Sequence, residues 1–169
     1  MALLRMETIR LMKTAIYLIM LAVSLAGASA FGADSSPAPT PARQVDPAVE
    51  RYEAAAARQD WPAAQAAMRE ALSREPGSAD LNNLYAYSLR KGPNPDMNLV
   101  FKHYNEALRI DPKHRGAHEY LGEAYLMAGN LEKAKEHLGY LDKICFFGCA
   151  EFNQLKKSVA EYETKSAKR

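Results

Sequence analysis

From position 46 onward, apolar side chains recur every three or four residues, in seven blocks separated by Pro, Gly, Asp and Asn. That interval puts each block's apolar residues on one face of an α-helix. Asp46-Pro47 reads as an N-cap followed by Pro at the first helical position, and its block runs to about Gln59. Asp60-Trp61-Pro62 opens the second, which ends near Arg74 ahead of Pro76-Gly77. Ser78 caps a third that ends at Lys91, before Gly92-Pro93-Asn94-Pro95. A fourth spans about Asp96 to Ile110. A fifth covers about Arg115 to Ala128, and Gly129-Asn130 turns the chain into a sixth, Leu131 to Ile144. The seventh runs from Cys149 to about Thr164, with Phe152, Leu155, Val159 and Tyr162 on one face and Lys156, Lys157, Glu161 and Glu163 toward water. No stretch alternates β-branched residues, so the pattern predicts an all-α domain.

The blocks also echo one another. Ala71-Leu72 precede Pro76 as Ala107-Leu108 precede Pro112, 36 positions on, and Ala86 matches Gly122 at the same offset. A period near 34 marks stacked helix–turn–helix units, none of which can bury its apolar face alone. The segment from Ala117 to Ala134 resembles a tetratricopeptide repeat: Leu121, Gly122 and Tyr125 fall on its first helix and Ala134 on its second, at that family's positions. The second unit offers Tyr85, Ala86, Leu89, Ala107 and Pro112, with a longer inter-helix turn. The first offers Tyr52, Ala55, Ala64, Met68, Ala71 and Pro76, with Gln59-Asp60 where the turn glycine belongs. The resemblance implies an α-solenoid of three helix pairs, about 46–77, 78–113 and 114–147, plus a C-terminal capping helix at 149–164, within a domain spanning 46–165. Gly122 and Ala134 are expected to be small where the two helices of a pair cross most closely.

In this family the first helices line a concave groove. Carried over, the groove positions are Glu53 in the first repeat, Asn83, Tyr87 and Arg90 in the second, and Glu119, Glu123 and Met127 in the third. Asn83 suits backbone amides, Tyr87 suits stacking, and the acids suit a basic side chain of an extended peptide. At each single position the competing reading is an ordinary solvated helix face. The multi-Lys/Asn clamp that some members use for C-terminal carboxylates is not seen: Arg90 and Lys91 stand alone, and the first repeat offers Ala56 and Ala57. The implied role is a non-catalytic adaptor for a protein or peptide partner, without a cofactor. No Gly-rich phosphate loop, H-E-x-x-H or G-x-S-x-G occurs. The first repeat has no preceding cap, so self-association through it is a further expectation.

Upstream of the domain, Arg5, Arg10 and Lys13 precede the apolar run Ala15 to Ala26, and Ala28-Ser29-Ala30 has the small-x-small form of a signal-peptidase site. The pattern predicts a signal peptide over 1–30, cleaved after Ala30, and a periplasmic or secreted protein with no stable membrane insertion afterwards. Met12 is an alternative start. The rival reading is an uncleaved anchor, for which the apolar run is short against about 30 Å of hydrocarbon. A Pro/Ala/Ser-rich linker over 31–45 follows, around Ser35-Ser36-Pro37-Ala38-Pro39-Thr40-Pro41. The leader holds three of the 22 basic and one of the 20 acidic residues, so the rest carries 19 of each. A neutral surface gives no counterion-release drive toward nucleic acid.

Cys145 and Cys149 bracket Phe146-Phe147-Gly148. In an oxidising compartment such a pair usually becomes a disulfide, here a clip between the capping helix and the third repeat. The alternative is a metal-handling site, for copper or another soft metal, or a redox pair, although the spacing is C-x₃-C. His114 and His118 stand four apart, as two ligands on one helix would, but no third ligand is evident and they read as surface residues, with no metal site. His103 and His137 fall on the outer side of successive second helices, as packing or surface residues.

Overall fold

Each helix begins where a side-chain acceptor meets the first free backbone N–H groups of a turn. In the computed structural model, which describes residues 46–168, the elements are α1 (Pro47–Ala57), α2 (Trp61–Arg74), α3 (Ala79–Lys91), α4 (Met97–Ile110), α5 (Arg115–Met127), α6 (Leu131–Ile144) and α7 (Ala150–Ser166). The leader at 1–30 and the linker at 31–45 lie outside the described residues. The caps are Asp46, Asp60, Ser78, Asp96, His114, Asn130 and Cys149, each accepting from a backbone N–H two or three residues on. Among the described residues there is no strand, and no helix is long and apolar enough to cross a membrane.

Helix ends differ from expectation by one or two residues, with one instructive case. α1 stops at Ala57 because Gln59 adopts φ +58°. Its N–H donates to Ala56 O at 2.9 Å, and Asp60 N–H reaches back to Ala55 O at 2.9 Å. Gly129, at φ +77°, does the same between α5 and α6: its N–H donates to Leu126 O at 3.1 Å, and Asn130 N–H donates to Tyr125 O at 2.8 Å. Gln59 therefore holds a left-handed turn geometry that glycine adopts without steric cost.

The helices pack as α1–α2, α3–α4 and α5–α6, each pair resting on the next, with α7 against both α5 and α6. Alanines occupy many of the crossings: Ala48, Ala64, Ala71, Ala86, Ala107, Ala124 and Ala134 have no exposed surface. Small side chains let the helix axes approach, and Met68, Tyr104, Leu121, Leu141 and Leu155 fill the remaining space. The apolar interior forms two clusters that share Tyr125. One runs through the first two pairs and α5, and the other joins α6 to α7.

Two readings change. Gly122 also faces the capping helix: a Cβ there would lie 2.6 Å from Leu155 Cδ2, so Leu155 would have to shift. His118 is not a surface residue. It is 5% exposed, its Nε2–H donates to Pro112 O at 3.0 Å, and its Nδ1 accepts from His137 Nδ1–H at 3.0 Å. This tautomer assignment is the one that satisfies both contacts. Burial lowers both imidazole pKa values, and burial together with the neighbouring His118 takes His137 to about 4. The pair is a neutral link between α5 and α6, stacked among Tyr125 and Tyr140.

The turn geometry yields a direct test. Gln59→Gly should stabilise the domain by about 0.5–1 kcal/mol, the left-handed penalty less the extra chain entropy of glycine. Chemical denaturation measures this, and a loss of stability would show that the Gln59 side chain contributes more than its backbone costs.

Candidate functional site

Side chains of α3, α5 and α7 meet in one cluster. Its centre is Arg90, in the last turn of α3. The residue is 8% exposed, although its type is among the least often buried. Its Nη2 donates to Glu123 Oε2 at 2.8 Å and its Nε to Tyr104 Oη at 3.3 Å. Its Nη1 reaches Met127 Sδ at 3.9 Å. The guanidinium carbon lies 5.4 Å from the Tyr87 ring centroid and 5.6 Å from that of Tyr120. Burial works against its charge, and Tyr104 and Glu123 outweigh it, so the pKa rises. Ser158 of α7 donates to the other oxygen of Glu123 at 3.2 Å. A buried ion pair needs this saturation, because its desolvation cost is met only when the remaining donors and acceptors are filled.

Arg90 is therefore not the free groove cation that the sequence suggested. It is engaged inside the protein, and so is its partner Glu123. Glu119 is a different case. It is 8% exposed on α5, and the structure gives it no hydrogen-bond partner among the described residues. Burial, then Glu123 and Glu151, push its carboxyl up to about 7, against the pull of Arg90. Asn83, on α3, is 6% exposed and its amide lies beside Gly116 at the start of α5. Its Oδ1 is fully enclosed and has no partner among the described residues, at a cost of about 1–3 kcal/mol.

The structure brings Asn83, Tyr87, Arg90, Glu119, Glu123 and Met127 onto this one face. Met127 is 55% exposed there, whereas Glu53 is exposed on α1 and bonded to none of the others. Sequence reasoning missed the aromatic line. Tyr87 and Tyr120 have ring centroids 4.7 Å apart, and Trp61 meets Tyr87 edge-on at 5.9 Å. Tyr52 joins them, its phenol raised by burial and then by Tyr87 and Tyr120. The signal was present: Tyr52, Tyr87 and Tyr120 recur at intervals of 35 and 33, close to the repeat length. The acidic contributions of α7 were also missed, because Glu151 and Ser158 matter only once that helix is docked.

The other candidates resolve simply. Cys145 and Cys149 are joined in a disulfide, with Cα atoms 5.5 Å apart. Cys145 ends α6 and Cys149 begins α7, so the bond clips the cap to the third repeat. Both sulfurs are occupied by each other, which leaves no thiolate pair for a metal. Phe146 and Phe147, 86% and 97% exposed, stand edge to face on the closed loop. His114 caps α5 through Nδ1 and donates from Nε2 to Asp80 Oδ1 at 3.0 Å. It shares no ligand position with His118, which belongs to the His137 pair. Among the described residues no group of three or more His, Cys, Asp or Glu converges as a metal site would require.

Against known proteins, no family model matches the chain, and neither does any curated protein. Solved structures do. The TPR2B domain of yeast Sti1, solved as its complex with pHsp70, is similar with a TM-score of 0.56 and 22% sequence identity, covering 68% of this chain and 94% of that one. The likeness establishes the fold, an α-solenoid of tetratricopeptide-like helix pairs.

Glu119 gives the site a pH signature. Between about pH 4.5 and 7 the folded chain keeps a proton that the unfolded chain has lost, so this group's contribution to stability falls as pH rises through that window. Above it, the buried carboxylate is a cost. Glu119→Gln should therefore stabilise the fold by about 2 kcal/mol at pH 8 and by little at pH 4. Urea unfolding at the two pH values checks this. An equal effect at both would show that the carboxyl has an ordinary pKa.

Proposed function

We propose that this protein is an exported, non-catalytic adaptor that holds an extended segment of a partner protein in the groove formed by α1, α3, α5 and α7. The observation that carries the reading is Glu119, a carboxyl on that face that is 8% exposed and has no hydrogen-bond partner among the described residues, beside a line of aromatic rings. A peptide supplies what it lacks, a basic side chain. The aromatic line Trp61–Tyr87–Tyr120 offers stacking surface for the rest of the segment. The similar Sti1 domain, solved as a complex with pHsp70, supports binding of another protein by this fold.

Export rests on the sequence of the first 30 residues and on the disulfide, which persists in oxidising compartments. The linker then separates the domain from the cleavage point.

Two measurements test the reading. A photo-crosslinking residue placed at Met127, inside the groove, should give partner adducts in intact cells, and one at Lys102 on the outer helix α4 should not. Adducts from Lys102 alone would move the interface to the convex side. The protein recovered from those cells should begin at Phe31 and contain no alkylatable thiol; an intact Met1 or Met12 with two free cysteines would overturn export.

A further inference from the structure

The groove differs at its two ends. At the first-repeat end a cavity of about 400 Å³ lies between the last turn of α1, the turn after it and the last turn of α3. It is lined by Ala56, Ala57, Gln59, Trp61, Tyr87 and Lys91. It exists because the first repeat carries methyl groups at Ala56 and Ala57, where the second repeat, 34 positions on, carries Arg90 and Lys91. A space of this size, near the lower end of ligand pockets, suits a large side chain. Trp61 and Tyr87 meet there edge-on, an arrangement to which a further ring or a proline adds readily. Lys91 is exposed, with its ammonium 6.0 Å from the Trp61 ring centroid, and no carboxylate of the described residues lies within ion-pair distance of it.

Tyr87 is shared by both ends. On one side it meets Trp61, and on the other it meets Tyr120, the neighbour of Glu119. The third-repeat end is acidic: Glu123 and Glu151 lie near Glu119, and the guanidinium of Arg90 is already bonded to Glu123. Asn83 lies between the two ends, on α3 beside α5. The face therefore runs from a cavity with two aromatic walls and a free cation to a buried carboxyl without a partner.

We propose that the groove reads a two-anchor extended segment: a basic side chain seated on Glu119, and an aromatic or proline side chain followed by a carboxylate, seated in the Trp61–Tyr87 cavity against Lys91. This rests on the groove-binding reading and specifies its ligand. The spacing follows from the aromatic line. Trp61, Tyr87 and Tyr120 stand at successive centroid distances of 5.9 and 4.7 Å, and Glu119 is the residue next to Tyr120. An extended chain advances about 3.3 Å per residue, so a separation of about five residues spans the two anchors.

Calorimetric titration of the purified protein with two synthetic peptides tests this. One is acetyl-Arg-Ala-Ser-Ala-Ser-Phe-Asp-amide and the other is the same sequence reversed. At least one order should bind. Exchanging its Arg or its Phe for Ala should weaken binding fivefold or more. Glu119→Gln should weaken the parent peptide equally and leave the Arg-to-Ala peptide unchanged. Ala57→Leu, which fills the cavity, and Lys91→Glu should act the same way toward the Phe-Asp end. Binding indifferent to Ala57→Leu and Lys91→Glu would overturn the two-anchor inference and leave groove binding intact. So would failure of both peptides to bind while Met127 still crosslinks a partner in cells. Failure of the peptides together with failure of that crosslink would overturn both readings.

Discussion

The buried guanidinium of Arg90 is the constraint around which this fold is arranged. It leaves α3, crosses to Tyr104 on α4 and closes on Glu123 and Met127 of α5, and Ser158 of α7 completes the carboxylate. One side chain thereby ties the second repeat to the third and, through Glu123, to the cap. Solenoid repeats are held by nearest-neighbour interfaces, so a charge that spans several elements couples units that would otherwise be nearly independent. Removing either partner would strand a charge in a site of low dielectric, a change that typically costs about 3–5 kcal/mol.

The capping helix has a second role beyond covering apolar surface. Leu155 packs so closely on Gly122 that a Cβ there would force it to shift, and that contact brings Glu151 and Ser158 up to the third repeat. Glu151 then adds to the burial and to Glu123 in raising the Glu119 carboxyl pKa. The Cys145–Cys149 clip, at the α6–α7 junction, limits how far the cap can depart. By the chain-entropy account so small a loop contributes about 2 kcal/mol.

The architecture was legible in the sequence because local chemistry punctuates it. Asp46-Pro47, Ser78 and Gly129-Asn130 mark helix ends through capping and turn preferences that act within a few residues, and the 36-residue echo of Ala-Leu before Pro orders the helices into pairs. What resisted reading depends on reach. Arg90 falls on the groove face by periodicity, yet its side chain is long enough to be drawn into the neighbouring pair. His118 and His137 lie 19 residues apart on different helices, and no local rule pairs them. Glu119 owes part of its raised pKa to Glu151, on a helix that starts 31 positions later. Gln59 shows a subtler limit, since its turn matched that of Gly129 in position while its side chain argued against the conformation.

The chain contains a single tryptophan, and it stands at the mouth of the first-repeat cavity. The indole of Trp61 is half-buried, with a tyrosine ring on one side and a lysine ammonium above. Its emission therefore arises from one place, free of background from other indoles, and its colour follows the wetness of that cavity. The unlabelled protein carries its own optical gauge of occupancy, positioned where water must leave for anything else to enter.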